Sequence, residues 1–128
     1  MLYIAYPSQM PKSFKRVLDE SFPGEEKTTP KDREAIPKDK FVSKSLDLLK
    51  KSDYFVAEVS EPSTGVGIEI GWAYGNRKRM IFLAKKGAKV SRSIGNLPGK
   101  MIEYRDAKDL KAKLGKMDLW SLKAYKKA

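Results

Sequence analysis

Three short stretches of this chain are apolar at nearly every position: Leu2-Tyr-Ile-Ala-Tyr6, Asp53-Tyr-Phe-Val-Ala-Glu-Val59 and Met80-Ile-Phe-Leu-Ala84. A strand with one wet face alternates polar and apolar residues. Near-continuous apolar character instead suits a parallel strand covered by helices on both faces. Helical spacing fills the intervals. Phe14, Val17, Leu18 and Phe22 predict a helix over 11–21. Val42, Leu46 and Leu49, flanked by Phe41 and Leu48, predict another over Phe41–Lys51. A third is expected over Gly65–Asn76, then a last short strand at Lys100–Tyr104 and basic helices at Asp106–Leu114 and Asp118–Lys127. Strands alternating with helices imply an α/β fold. The expectation is one domain over 1–128, a Rossmann- or flavodoxin-like open parallel sheet of four to five strands, with a basic helical C-terminus at about 106–127.

Residues 23–40 and 85–100 read as loops, the first holding one short strand near Lys27–Thr29. A loop of the first one's length often serves as a lid or binding segment. In open parallel sheets ligands sit outside the carboxyl ends of the strands. That places Tyr6–Met10, Ser60–Glu69 and Ala84–Ser93 around one crevice.

Composition removes several chemistries. The 128 residues contain no Cys and no His. Disulfides, thiolate nucleophiles, Ser-His-Asp systems and His/Cys zinc sites are therefore excluded. A general acid or base must be Asp, Glu, Lys or Tyr. No apolar run approaches the ~18 residues of a membrane span. Met1-Leu-Tyr-Ile-Ala-Tyr6 lacks the basic region of a signal peptide, so a cytoplasmic location is expected.

One stretch departs from the rest. From Pro62 to Asn76 there are 15 residues, and Glu69 alone is charged, against about five expected at the chain's 34%. A carboxylate in the first turns of an apolar helix needs a reason, because burying it uncompensated is costly. The helix N-terminus favours the ionised form. Glu69 is then either an anionic nucleophile in a dry crevice or a partner of the helix dipole. Gly65 and Gly67 permit close approach of a phosphate or sugar to the backbone, and Ser63 and Thr64 add hydroxyls. The alternative is an ordinary Ser/Thr cap with tight helix–strand packing.

The run Asp53-Tyr-Phe-Val-Ala-Glu-Val-Ser-Glu-Pro-Ser-Thr-Gly-Val-Gly-Ile-Glu-Ile-Gly-Trp-Ala73 resembles the nucleoside 2-deoxyribosyltransferase superfamily. It is most similar to the 2′-deoxynucleoside 5′-phosphate N-hydrolase branch, whose hallmark is Ala-Glu-Val followed by Pro-Ser-x-Gly-Val-Gly-x-Glu-x-Gly. The resemblance runs without gaps over about Leu46–Leu83. It implies that Glu69 is the nucleophile at C1′ of the sugar and that Tyr3 stands near it. It implies that Ser63 contacts the 5′-phosphate, where transferases of unphosphorylated nucleosides tend to carry Asp; a carboxylate there would repel a phosphate. Ser91, or Ser93 after a two-residue shift, matches a second phosphate-contacting Ser, which in the family can come from the neighbouring subunit. The resemblance thus implies a homodimer with a shared site, a nucleotide substrate, and no metal or redox cofactor.

Two departures stand out. The family's Asp that assists departure of the base falls on Ser45. Asp47 is nearby, but on the helix's polar face, whereas Ser45 lies on the apolar side. The family's phosphate-contacting Arg after the first strand is missing, with Gln9 as nearest counterpart. These departures favour an alternative function, a nucleotide-binding or sensing protein with impaired catalysis. The net charge of +11 raises a third possibility, a polynucleotide site. Many of the lysines lie in the terminal helices, where a solvated basic face is the simpler account.

Overall fold

The structure, a computed structural model, describes residues 1–117. The helix expected at Asp118–Lys127 lies outside the described residues. Five parallel strands form one sheet: β1 (Leu2–Ala5), β2 (Lys27–Thr28), β3 (Tyr54–Glu58), β4 (Arg79–Lys85) and β5 (Lys100–Tyr104). Their order is β2-β1-β3-β4-β5. The helices are α1 (Lys12–Asp19), α2 (Pro30–Arg33), α3 (Phe41–Lys51), α4 (Thr64–Gly75), α5 (Arg92–Gly95) and α6 (Ala107–Gly115). Among the described residues no helix is long and apolar enough to cross a membrane. The expected open parallel sheet is therefore present, in its flavodoxin-like order, which reverses direction between β1 and β3.

The apolar strands are explained by their two covered faces. On β1 and β3, Leu2, Ile4, Tyr54 and Val56 join a core with Leu18 of α1 and Leu110 and Leu114 of α6. The alternate residues Tyr3, Ala5, Phe55 and Ala57 join a second core with Leu49 of α3 and Ile70 and Ala73 of α4. Strand periodicity sends successive side chains to opposite faces, so Tyr3 is committed to the α3–α4 side. Fully burying residues such as Phe55, Leu49 and Leu110 stabilises the fold by about 1.5–3 kcal/mol each.

Three local readings need correction. Residues 23–40 are not one loop: after the short β2 comes α2, then a 3₁₀ turn at Lys38–Lys40. Thr29 starts α2 with a capping box, its hydroxyl accepting from Asp32 N while Asp32 accepts from Thr29 N, and Pro30 occupies the first turn. The 85–100 segment likewise contains α5, capped by Ser91. In α3 the buried row runs through Ser45 and Leu49, whereas Val42 is 62% exposed and Phe41 44%. The first turn of α3 is therefore left uncovered, although Val42 falls in the same helical row as Ser45 and Leu49.

Gly99 enters β5 at φ +150. A Cβ there would come within 2.9 Å of both the Met80 carbonyl oxygen and Phe82 Cε2.

Candidate functional site: a carboxylate at the carboxyl end of the sheet

At the carboxyl ends of β3, β4 and β5, Glu58 is almost fully buried. It accepts from Ser60 N at 2.7 Å, from the Ser60 hydroxyl at 2.6 Å and from the Tyr104 hydroxyl. Ser60 Oγ also accepts from Lys85 N at 2.7 Å. Burial, together with bonding to Glu58, pushes the Tyr104 phenol pKa up, so it remains a donor. This network fixes the turn that delivers Ser63 to the start of α4. Gln9 ties the loop after β1 to the same turn, donating to the Pro62 carbonyl at 3.3 Å.

Ser63 is the N-cap of α4, its hydroxyl accepting from Val66 N at 3.3 Å. Glu69 follows one and a half turns later, its side chain 18% exposed. The Tyr3 hydroxyl donates to Glu69 Oε2. Arg33 Nη2 stands 3.5 Å from that same oxygen. Within the described structure, no hydrogen bond reaches Oε1. Burial raises the Glu69 pKa above its ordinary 4.5, while Tyr3 and Arg33 pull it down. Burial and the Glu69 charge push the Tyr3 phenol far up, so it is protonated at neutral pH.

Arg33 was not singled out from the sequence. It is 3% exposed, and it donates to the Ile4 carbonyl at 2.7 Å and to Thr28 Oγ1 at 3.2 Å. Its guanidinium lies 3.9 Å from the centroid of the Tyr3 ring. The signal that could have found it is the Thr29-Pro30-Lys31-Asp32 cap, which marks a helix start inside the supposed loop.

A cavity of about 1000 Å³ opens beside these groups, lined in part by Tyr6, Arg33, Ser63, Gly65, Val66 and Glu69. It sits at the β1/β3 switch point, where such sheets bind ligands. α1 turns Lys12 and Lys15 to it, and α2 turns Lys31. A second cavity of about 940 Å³ lies at the opposite ends of the strands, beside Leu2, Tyr54 and Leu114. It holds none of the expected site residues. The convergence of a buried carboxylate, its two donors and a capped helix start marks the first cavity as the functional candidate.

The remaining expected residues divide. Gly65 lines the cavity, and a Cβ at either Gly65 or Gly67 would meet nothing within 4 Å. Tight packing against neighbouring elements is therefore not why glycine occupies those positions. Ser45 faces inward from α3, 1% exposed, while Asp47 is on the solvent side. Ser45 Oγ stands close enough to the Tyr3 phenol to influence it but has no hydrogen bond of acceptable geometry. Ser91 and Ser93 are exposed and do not line the cavity of their own chain. Gln9 is exposed and lies outside the cavity wall.

Comparison with known proteins supplies the relatives. The model of the family "Nucleoside 2-deoxyribosyltransferase" matches residues 5–112. The chain is similar to the 5-hydroxymethyl-dUMP N-hydrolase of Esox lucius, 37% identical over 75 residues, covering 56% of this chain and 52% of that protein. It is 44% identical over 46 residues to the same-named protein of Tetraodon nigroviridis, covering 35% of this chain and 32% of that one. The chain thus spans about half the length, or less, of these curated relatives. Its fold is similar to that of the CMP N-glycosidase BcmB of Clostridium botulinum, with a TM-score of 0.64 at 23% identity, over 88% of this chain and 98% of that one. With the family model spanning most of its length, this chain belongs to the nucleoside 2-deoxyribosyltransferase family.

Proposed function

We propose that this protein hydrolyses the N-glycosidic bond of (deoxy)nucleoside 5′-monophosphates, with Glu69 as nucleophile. The observation that carries this reading is the state of the Glu69 carboxylate: Tyr3 and Arg33 converge on Oε2, and Oε1 keeps its lone pairs beside a cavity large enough for a nucleotide. In the first displacement Oε1 attacks C1′, the C1′–N bond breaks, and the base leaves with the bonding electrons and takes up a proton. In the second, water attacks C1′, the ester to Glu69 breaks, and (2-deoxy)ribose 5-phosphate is released. A free nucleobase in place of that water, attacking C1′ through a ring nitrogen, would give the related deoxyribosyl transfer. Neither step calls for a metal or redox cofactor.

Ser63 and the backbone at Gly65 are the phosphate contacts in this reading, because the free N–H groups at the start of α4 attract anions. The expected contact at Gly67 N–H is not available, since it donates to the Ser63 carbonyl at 2.9 Å. Lys12, Lys15 and Lys31 add positive potential at the rim. Ser91 completes the site from a second copy. That copy covers exposed apolar residues of α3 and α4, Val42 at 62% exposure and Ile68 at 51%. Sedimentation of the wild type and of Ile68→Lys tests the dimer: the wild type should sediment as two chains and the variant as one. A cytoplasmic location follows from the substrate class, since charged monophosphates do not cross membranes unaided.

One observation favours a second reading, a nucleotide sensor of the same fold. Ser45 cannot protonate a departing base, and Asp47 points to solvent. Incubating the full chain with a panel of ribo- and deoxyribonucleoside monophosphates and measuring free base decides between them. Base release from any member supports the hydrolase. Binding without release from any member supports the sensor.

A further inference from the structure

We propose that Arg33 is a positioning residue for Glu69: it pairs with Oε2 on the inner side of the carboxylate and so makes Oε1 the attacking oxygen. The inference rests on the reading of Glu69 as nucleophile.

The guanidinium has little freedom. Nη2 donates to the Ile4 carbonyl at 2.7 Å, Nη1 donates to Thr28 Oγ1 at 3.2 Å, and the Tyr3 ring lies against it. The first two partners sit on neighbouring strands, β1 and β2, so the sheet itself sets the guanidinium in place. Its remaining direction is towards Glu69 Oε2, 3.5 Å away. Tyr3 occupies the same oxygen from the sheet side. An oxygen with a guanidinium and a phenol against it has its lone pairs engaged and its negative charge drawn off. The opposite oxygen meets neither group and is the better nucleophile. A flexible Lys could supply the charge but not the fixed fork.

The charges around Glu69 leave Arg33 as its principal counter-ion. β1 presents Tyr3, protonated, and α3 presents the uncharged Ser45. α1 turns Lys12, Lys15 and Asp19 towards the cavity; Asp19 accepts from the Tyr6 hydroxyl at 3.0 Å. Arg16 and Glu20 pair with each other at 3.2 Å. α2 adds Lys31 and Glu34, both exposed. Among the described residues, Arg33 makes the one ion pair with Glu69.

The test is a carboxyl-carbon NMR titration of Glu69 in the full chain, in the wild type, Arg33→Gln and Arg33→Lys. Losing the guanidinium should raise the Glu69 midpoint by about one unit or more, roughly tenfold in proton affinity. Arg33→Lys should keep the midpoint near wild type yet lower kcat for a monophosphate more than it changes KM. The acid limb of the Arg33→Gln rate profile should move with the titration. A folded Arg33→Gln chain with an unmoved midpoint overturns the proposal. If that variant does not fold, the arginine side-chain nitrogen signals of wild type and Glu69→Gln are compared. A shifted Arg33 signal supports the pairing, and an unshifted one overturns it. A moved midpoint in a chain that releases no base from any monophosphate sinks the hydrolase reading and leaves the hold of Arg33 on the carboxylate standing.

Discussion

The guanidinium of Arg33 lies on the ring of Tyr3, 3.9 Å from its centroid, and the two side chains meet at one oxygen of Glu69. The stack explains how a cation and a carboxylate coexist inside a small domain. Arg33 supplies charge, Tyr3 supplies a hydroxyl that burial keeps protonated, and the ring shields both from water. Tyr3 and Arg33 pull the Glu69 pKa down against the burial that raises it.

Glu69→Gln should abolish base release while preserving the fold. It keeps the shape and removes the anion that attacks. The raised pKa of Glu69 also sets a stability sign. Between 4.5 and its higher folded value, the folded chain binds more protons than the unfolded one, so this group's contribution falls as pH rises through that window. The influence of Arg33 is already contained in that shift. The Gln variant should therefore match or exceed wild-type stability at pH 7.5, and the difference should shrink as pH falls towards 4.5. Urea unfolding at both pH values checks the sign, and a release assay checks the chemistry.

Ser63→Asp separates a phosphate contact from a helix cap. Asp caps as well as Ser does, so stability should hold within about 0.5 kcal/mol, whereas Ser63→Ala should lose about 1 kcal/mol. The new carboxylate would face a phosphate at the cavity wall. Affinity for monophosphates should fall at least tenfold, with nucleosides little affected. Calorimetric titration with one matched pair of ligands measures both, and equal losses would reduce Ser63 to a cap.

Gly99→Ala should destabilise the chain by about 1–3 kcal/mol. The φ of +150 disfavours any side chain, and the Cβ would press on the Met80 carbonyl and Phe82 at 2.9 Å. Thermal unfolding reads the effect. Catalysis per folded molecule should not change, because Gly99 is outside the cavity wall.

How much was legible in the sequence differs between fold and site, for physical reasons. The β1, β3 and β4 strands announce themselves because parallel strands buried on both faces carry no polar alternation. Glu69 stands out because it is the lone charge in the apolar α4. α2 was harder, because four residues are too few for a periodic pattern, and only the Thr29–Asp32 cap betrays it. Arg33 was hidden for a further reason. In sequence it is one of 27 Lys and Arg residues, most of which are solvated. Only the pairing of β2 with β1 brings it under Tyr3. The Val42 reading failed because helical spacing identifies an apolar row but not which of its turns is covered.

Among the described residues, the buried Ser45 hydroxyl lies near the Tyr3 phenol but makes no hydrogen bond of good geometry. Leaving such a group unsatisfied is costly, so Ser45→Ala should raise stability by about 1 kcal/mol in chemical unfolding. Ser45→Asp asks a different question: whether a carboxyl acid is what the site lacks. Position 45 faces the sheet beside Tyr3, so a carboxyl there comes close to the groups that hold Glu69. Burial and the Glu69 anion would raise its pKa, against the opposing charge of Arg33, and keep a protonated fraction near neutral pH. Stability should drop by about 1–3 kcal/mol. The cleavage rate of one monophosphate should rise, because general acid assistance is worth ~10²–10⁴-fold when the donor is placed well. A wild type already fast, and slowed by the Asp, would mean that another group protonates the base. Tyr3→Phe and Asp47→Asn would then identify it. Tyr3 is the stronger candidate, since its hydroxyl bonds to Glu69 whereas Asp47 faces solvent.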